Sequence, residues 1–347
     1  LSRSLTVLNV AYALAPVGPD AVGGAEQVLS AIDRGLAAAG HRSVVVACCG
    51  SVVAGELVDT GIDPEAAIDE GSRQAAEAAT RRAIAGVLER RAVDVIHMHG
   101  LDFAWVMPPD GPPALVTLHL PLDWYEPGAL AIGRTRTWLH GVSAAQVRGR
   151  PAALDWLAPI GNGVPVSALQ GVLHARRGFA LTLGRICREK GQHLALQAAH
   201  RAGVSLLVAG AAFGYPAHRA YFDNKVAPLL DDRRRFLGPV GFARKRALLS
   251  AARCLLLPSL AAETSSLVAM EAAACGTPVI AFRSGALPDI VEDGVTGFVV
   301  DDLNGMVAAI GRVGEIDPEA CRDRARALFT VERMVDGYLD RYRILAA

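Results

Sequence analysis

The sequence predicts an α/β protein made of two doubly wound domains, each a parallel sheet covered by helices on both faces. Three observations carry this. Apolar runs of strand length alternate with helical patterns along the whole chain. Those runs are near-continuously apolar, as strands buried on both faces must be. The alternation also stops and restarts once, across the Gly/Pro-rich stretch LAPIGNGVPVSALQGVLHARRG at 157–178. A length of 347 residues gives room for about two cores. The expected division is residues 1–165, residues 166–330, and a C-terminal helix at 331–347 that packs back on a domain, the first being the expected partner. Ligands of such sheets gather at the carboxyl ends of the strands, so the two domains are expected to face a central cleft.

In the first half, LTVLNVAYA (5–13) reads as a buried strand. AEQVLSAIDRGLAAAG (25–40) follows as a helix, with Val28, Leu29, Ile32 and Leu36 on one face and Gly40 as its C-cap. HRSVVVACC (41–49), VDVIHMHG (93–100), PALVTLHLP (113–121) and WLHGVS (138–143) continue the strands. Residues 68–91 form a long Ala-rich helix whose Arg73, Arg81, Arg82, Arg90 and Arg91 read as a solvated face. After the restart, FALTLGRI, VSLLVAGA, RRFLGPV, RCLLLPS and TPVIAF give five further strands with helices between them.

Composition excludes several classes. Lys+Arg and Asp+Glu both number 35, so the concentrated basic field of a nucleic-acid binder is missing. No apolar run is long enough to span a membrane, and LSRSLTVLNVAYA lacks the apolar core of a signal peptide. Cys48, Cys49, Cys187, Cys254, Cys275 and Cys321 show no zinc-type spacing and read as buried thiols of a reducing compartment. The cytoplasm is the expected location, with at most peripheral contact at the inner face of a membrane. Of the 35 basic residues only Lys190, Lys225 and Lys245 are lysines. A chain so biased to arginine keeps lysine where a compact, flexible ammonium is wanted.

Four stretches carry chemistry. AAETSSLVAMEAAACGTPVIAFRSG places Glu263 and Glu271 eight positions apart. Ser265 or Ser266 is positioned to cap the helix that follows. Glu271 then lies about one and a half turns in, roughly 8 Å from the helix start. A buried carboxylate is costly without a partner. A vicinal diol of ribose on Glu271, a phosphate at the helix start and a polyol near Glu263 would satisfy the set. An arginine salt bridge for Glu271 and plain exposure for Glu263 are the alternatives. LTLGRICREKGQ (181–192) sets Arg185 and Lys190 beside a helix N-terminus, a diphosphate clamp without either GxxxxGK[ST] or GxGxxG. VGGAEQ (22–27) lets backbone approach a ligand at Gly23 and Gly24, or is an ordinary turn. His119 ends the strand in LVTLHLPLDW, where ligands collect, or is a satisfied core histidine.

Taken together, these stretches resemble the retaining GT-B glycosyltransferases of family 4 over nearly the whole chain. The matching positions are Gly23-Gly24-Ala25-Glu26, His119, Asn162-Gly163-Val164, Gly184-Arg185 with Lys190-Gly191, and Glu263 with Glu271 running into Cys275-Gly276-Thr277-Pro278-Val279. The resemblance implies the GT-B fold, with an acceptor-side first domain and a second domain that binds a nucleotide-diphosphate sugar, UDP- or GDP-linked. Arg185 and Lys190 would hold the diphosphate, and Glu271 the ribose. Glu263, Ser265 and the backbone at Ser266 and Leu267 would meet the sugar. His119 would approach the sugar, Gly24 would pass close to the phosphates, and the base would rest near Val240 in GPVGF. It implies hexosyl transfer with retention, no cofactor and no metal, to a sugar, lipid-linked or small-metabolite acceptor. The family often reads x-F-G-L after its first Glu, where this chain has Thr264-Ser265-Ser266-Leu267.

Acceptor contacts are expected on loops 14–22, 50–66 and 122–136, with Trp124, Tyr125 and Trp138 either stacking on a sugar ring or simply packing. Rival readings are a metal-dependent hydrolase using His97 and His99, with Asp102 and His119 as further ligands, and an epimerase or phosphorylase of the same architecture. A serine hydrolase at GVSAA (141–145) lacks the second glycine of a nucleophile elbow.

Overall fold

The computed structural model describes residues 3–64, 69–150, 156–171, 174–212 and 215–347. Residues 65–66 of the predicted acceptor loop, residue 68 at the predicted helix start and residues 172–173 of the Gly/Pro-rich stretch lie outside them. The chain divides into two compact units, residues 1–161 with 332–347, and residues 162–331. The change of unit falls within the Gly/Pro-rich stretch, four residues ahead of the predicted position.

The first unit holds β1 (Thr6–Val10), β2 (Arg42–Ala47), β3 (Glu56–Asp59), β4 (Val95–Met98), β5 (Ala114–Leu118) and β6 (Thr137–Gly141). They pair in the order β3-β2-β1-β4-β5-β6, all parallel. Its helices are α1 (Gly24–Ala38), α2 (Glu70–Arg90) and the short α3 (Phe103–Val106). The second unit begins with α4 (Val166–Gln170), then β7 (Phe179–Leu183), α5 (Gln192–Arg201), β8 (Ser205–Ala209), α6 (Pro216–Tyr221) and β9 (Arg234–Phe236). It continues with α7 (Phe242–Ala251), β10 (Cys254–Leu257), α8 (Leu267–Ala274), β11 (Val279–Phe282), α9 (Leu287–Ile290) and β12 (Gly297–Val300). After α10 (Leu303–Arg312) and α11 (Pro318–Leu328), the last helix, α12 (Val331–Ala346), returns to the first unit. The second sheet runs β12-β11-β10-β7-β8-β9, again all parallel.

Both orders are the same doubly wound arrangement. The direction of winding reverses between β1 and β4 in one sheet and between β7 and β10 in the other. Connections on either side of such a reversal diverge and leave a crevice at the strands' carboxyl ends. The central strands are buried along their length because helices cover both faces: Val7, Leu8, Val44, Val45, Ile96, Leu181, Leu255, Leu256 and Ile280 are all sealed from solvent.

Two strands escaped the sequence reading, β3 and β12, the outermost strand of their sheets. An edge strand is short and packs less fully, so β3 carries ELVD, three residues half-buried and one exposed, instead of an apolar run. Conversely the predicted strand 5–13 overshoots. β1 ends at Val10, and Ala11 and Ala13 are apolar because the loop they start is itself buried. In α12, Met334, Val335, Tyr338, Leu339, Tyr342 and Leu345 recur at helical spacing and are buried. Tyr342 and Tyr338 reach the centre of the first sheet.

Candidate functional site

In the second unit the chemistry collects at the β7–β10 reversal. β7 ends at Leu183, and the chain turns through Gly184 and Arg185 into a single 3₁₀ turn, Arg188–Lys190. Lys190 N–H donates to the Cys187 carbonyl at 3.1 Å, which fixes the side chain's point of departure. From β10 the chain passes Ser259 into the loop that carries Glu263. Leu260 N–H donates to the Glu189 carbonyl at 2.7 Å and stitches the two connections together. Across this stitch Lys190 Nζ donates to Glu263 Oε1 at 2.6 Å and Oε2 at 2.9 Å, and Ser259 Oγ donates to Oε1 at 2.5 Å. The Glu263 side chain is 9 % exposed and that of Lys190 32 %. The ammonium therefore keeps an open side from which a ligand can be reached.

Two glycines shape this corner. Gly191 has φ +66°, and a Cβ there would be driven into the Pro258 carbonyl at the end of β10. Gly285 has φ +53° and lies against the Glu263 backbone, whose carbonyl accepts from Ala286 N–H at 2.7 Å. Left-handed backbone costs an L-residue about 1–2 kcal/mol, and at Gly191 the clash is with main chain that cannot rotate away. Gly191→Ala should lower the thermal midpoint by several degrees and weaken donor binding, because Lys190 precedes it; unchanged melting and binding would contradict this account.

α8 begins beside this corner. Ser266 occupies its N-cap position with extended backbone but makes no side-chain capping bond. Ser265 Oγ, sealed from solvent, has no hydrogen-bond partner among the described residues. Neither serine caps the helix through its side chain, which corrects the expectation of a Ser cap. Asp302 and Asp317 do cap α10 and α11. The Ser266 side chain thus leaves the first amides of α8 uncapped. Those N–H groups and the macrodipole suit an anion.

Glu271, in the second turn of α8, is 3 % exposed. Lys245 of α7 donates to its Oε1 at 2.5 Å. Burial pushes the Glu271 carboxyl upward, and the Lys245 charge opposes that shift. The internal partner is a lysine, not one of the many arginines. Val240 sits two residues ahead of α7, so the predicted base-side loop and the Glu271 partner share one connection. Arg185 lies on the other flank. Its carbonyl accepts from Gln192 Nε2 at 2.7 Å, and its charge is felt at Cys187, Glu189 and His218.

In the first unit His119 follows β5, and its backbone N–H donates to Tyr125 Oη at 3.0 Å. Tyr125 is therefore a buried support for this turn and not a stacking group; Trp124 is exposed. His119 Nε2 lies 3.2 Å from His99 Nδ1. Behind them His140 Nδ1 faces the Gly141 carbonyl at 2.9 Å, so Nδ1 must carry the proton. His140 Nε2 then accepts from Thr117 Oγ1 at 2.6 Å. Thr117 in turn accepts from His97 Nε2 at 2.6 Å, leaving His97 Nδ1 to accept from Tyr342 Oη at 2.6 Å. Both ring nitrogens of His97 are thus spent on core hydroxyls. Gly23 precedes α1 with extended backbone, and the Glu26 carboxylate folds over it.

Other polar side chains hold structural posts. Asp231 closes a turn onto Arg233 and Arg234, and Asp301 pairs with Arg283. Ser143 Oγ accepts from Gln146 N–H at 3.1 Å. Of the predicted arginine face of α2, Arg73 pairs with Glu126 and Arg81 donates to the Trp105 carbonyl. A shallow depression lined by Gly178, Ser205, Asp232 and Arg235 lies at the amino ends of β7–β9, away from this chemistry. Among the described residues no helix is long and apolar enough to cross a membrane.

Two family models match the chain in tandem: Glycosyltransferase Family 4 over residues 22–158, and Glycosyl transferases group 1 over residues 178–315. The chain belongs to the family 4 glycosyltransferases. Among its relatives, the D-inositol 3-phosphate glycosyltransferase of Saccharomonospora viridis is 32% identical over 233 residues, 64% of this chain and 48% of that protein. The protein of the same name from Mycolicibacterium smegmatis is 34% identical over 168 residues, 46% of this chain and 38% of its own length. The chain thus spans about half or less of these relatives.

Solved structures share the GT-B fold. The sucrose-phosphate synthase of Thermosynechococcus elongatus matches with TM-score 0.80 at 22% identity, over 98% of this chain and 99% of that one. Anabaena HepE, in complex with UDP and glucose, matches with TM-score 0.74 at 18% identity, over 97% and 99%.

Within this family 4 glycosyltransferase, three residues were missed as site candidates: Lys245, Ser259 and Gly285. Lys245 was detectable in principle, since the scarcity of lysine that drew notice to Lys190 applies to it equally. Ser259 and Gly285 carry no sequence signal; only the packing of the Glu263 loop shows their place.

Proposed function

We propose that the chain moves a hexosyl group from a UDP- or GDP-linked sugar to a hydroxyl of an acceptor, with retention of anomeric configuration and without a metal at the phosphates. The observation that carries this is the Lys190–Glu263–Ser259 cluster at the β7–β10 reversal, beside the start of α8. An ammonium with an open side, a helix start and Arg185 are the groups a departing diphosphate needs. Preorganised donors of this kind contribute roughly 3–4 kcal/mol each.

In the proposed complex Lys190 keeps one proton on Glu263 and turns another toward the diphosphate, with Arg185 as the second cation. Glu263 accepts from sugar hydroxyls, near Ser265 and the Ser266 and Leu267 amides. Glu271, held through Oε1 by Lys245, takes ribose hydroxyls on its other oxygen, and the base lies near Val240. The anomeric C–O bond to the diphosphate breaks as the acceptor oxygen bonds to the same face. The departing phosphate oxygen receives the acceptor's proton, so charge and atoms balance without a cofactor. The relatives' name makes an inositol phosphate the first acceptor to try.

Incubation with UDP-, GDP- and ADP-sugars, with and without D-inositol 3-phosphate or lipid-linked and simple sugar acceptors, tests the reading. Nucleoside diphosphate should appear only with acceptor, should persist in EDTA, and should accompany a product of unchanged anomeric coupling by NMR. Conversion of the donor sugar without acceptor would identify an epimerase instead. Release that ignores the acceptor, or no release with any pair, would overturn transfer.

A further inference from the structure

Among the described residues, one set of side chains outside the Lys190–Glu263 cluster brings three metal-ligating atoms together. Cys187 Sγ, a Glu189 carboxylate oxygen and a His218 ring nitrogen all lie within 4.8 Å of one another. We propose that this triad is a zinc site, which joins the turn after β7 to α6.

The donor set selects the metal. A thiolate excludes magnesium and calcium, which take oxygen ligands, whereas sulfur, imidazole and carboxylate together suit zinc. At metal–ligand lengths of about 2.0–2.3 Å, tetrahedral ligand atoms lie roughly 3.3–3.8 Å apart. Closing the triad therefore needs shifts of about an ångström, within reach of small side-chain rotations. The backbones that present the ligands are held independently of any ion. Ile186 N–H donates to the Ala211 carbonyl at 2.9 Å, and the Glu189 carbonyl accepts from Leu260. α6 is anchored by Tyr221, whose hydroxyl bonds His193 Nδ1 at 2.9 Å. Cys187 is 1 % exposed and both partners are half-buried, so the ion would be shielded yet reachable from the His218 side.

The charge also closes. The Cys187 thiol now donates to the Arg185 carbonyl at 3.7 Å; on binding, that proton leaves to solvent and the sulfur–metal bond takes its place. Thiolate and carboxylate together bring the dication to neutrality, so Arg185 next to the site faces one added positive charge relative to the metal-free triad. Three protein ligands leave one position for water, as in open zinc sites.

The test uses the full chain, stripped with chelator and dialysed, with cobalt and zinc as the probes. Cobalt should bind one per chain and give a thiolate charge-transfer band in the near ultraviolet, with visible bands of tetrahedral intensity, displaced by one equivalent of zinc. Cys187→Ser should abolish the near-ultraviolet band, and His218→Ala should weaken zinc binding at least tenfold. His218→Ala is half-buried at a helix surface and keeps the chain assessable should Cys187→Ser fail to fold. Absence of the band in the unsubstituted chain, its survival in Cys187→Ser, or unchanged zinc affinity in His218→Ala would overturn the site. None of these readouts needs glycosyl transfer, so they stand or fall apart from the proposed function.

Discussion

Lys190→Ala should reduce acceptor-dependent release of nucleoside diphosphate by about 10²–10³-fold, the loss that follows removal of one preorganised donor in a charge-stabilising site. Arg185→Ala should bring a second loss, and the double variant should show no turnover. Lys190 has two tasks, so two measurements are needed. It neutralises Glu263, a nearly buried carboxylate whose other bonded partner is Ser259, and it is proposed to hold the diphosphate. Loss of the first task destabilises the fold, by about 1–3 kcal/mol for a partly exposed pair; loss of the second slows the reaction. Lys190→Ala with Glu263→Gln removes the stranded charge and should recover most of the stability but none of the rate. A Lys190→Ala variant that melts lower yet keeps near-normal kcat would show that the ammonium serves only Glu263, and the clamp would be withdrawn.

The second large effect is an acid lability of the first unit. His97, His99, His119 and His140 are held far below the ordinary value of 6.5 by burial first of all, His119 at about 4 and His140 at about 3. They remain neutral in the folded chain, while in the unfolded chain they take up protons below pH 6.5. Stability is therefore full above 6.5 and lost as pH falls toward 4. Asp102 opposes this over part of the range. Burial raises it to about 7 from 3.8, and Oδ1 has no partner among the described residues. Its folded form holds a proton below pH 7 that the unfolded form has released, which stabilises the fold as pH drops from above 7 to below it. Between pH 4 and 6.5 four histidines against one carboxyl leave about three protons taken up on unfolding, or about 4 kcal/mol per pH unit. Against a total of roughly 5–15 kcal/mol, the urea midpoint should be highest above about pH 7.5, slope gently through pH 7 where Asp102 offsets part of the histidine uptake, and collapse within about two units below pH 6.5. A midpoint that stays level from pH 7 to 5 would contradict the neutral-histidine core. Asp102→Asn should steepen the acid limb, from about three to about four protons taken up on unfolding, because the opposing carboxyl is gone.

Much of this architecture was legible in the sequence. A strand buried on both faces must be apolar along its length, and a helix on one face must repeat every three to four residues. Ten strands and the principal helices follow from that alone. The edge strand β3 was not legible, because a strand with one open side needs no such run; β12, GFVV, is apolar and largely buried and was legible in principle. The loop at Ala11 and Ala13 was misread for the opposite reason, since burial makes a loop as apolar as a strand.

The site divides in the same way. Composition and spacing marked Lys190, Arg185, Glu263 and Glu271, because charged groups among small apolar residues are costly and therefore conspicuous. Which of them pair was not written there. Lys190 meets Glu263 because the β7 and β10 connections, 73 residues apart at that contact, emerge side by side where the winding reverses, and Lys245 meets Glu271 because α7 and α8, which flank β10 in the chain, pack together. His97 and His99 looked from their spacing like one ligand pair on one strand face. The return of α12 instead placed Tyr342 on His97 and left His99 to face His119. Local chemistry is inscribed residue by residue in the chain. The choice of partner depends on long-range register, which exists only once the sheets have closed.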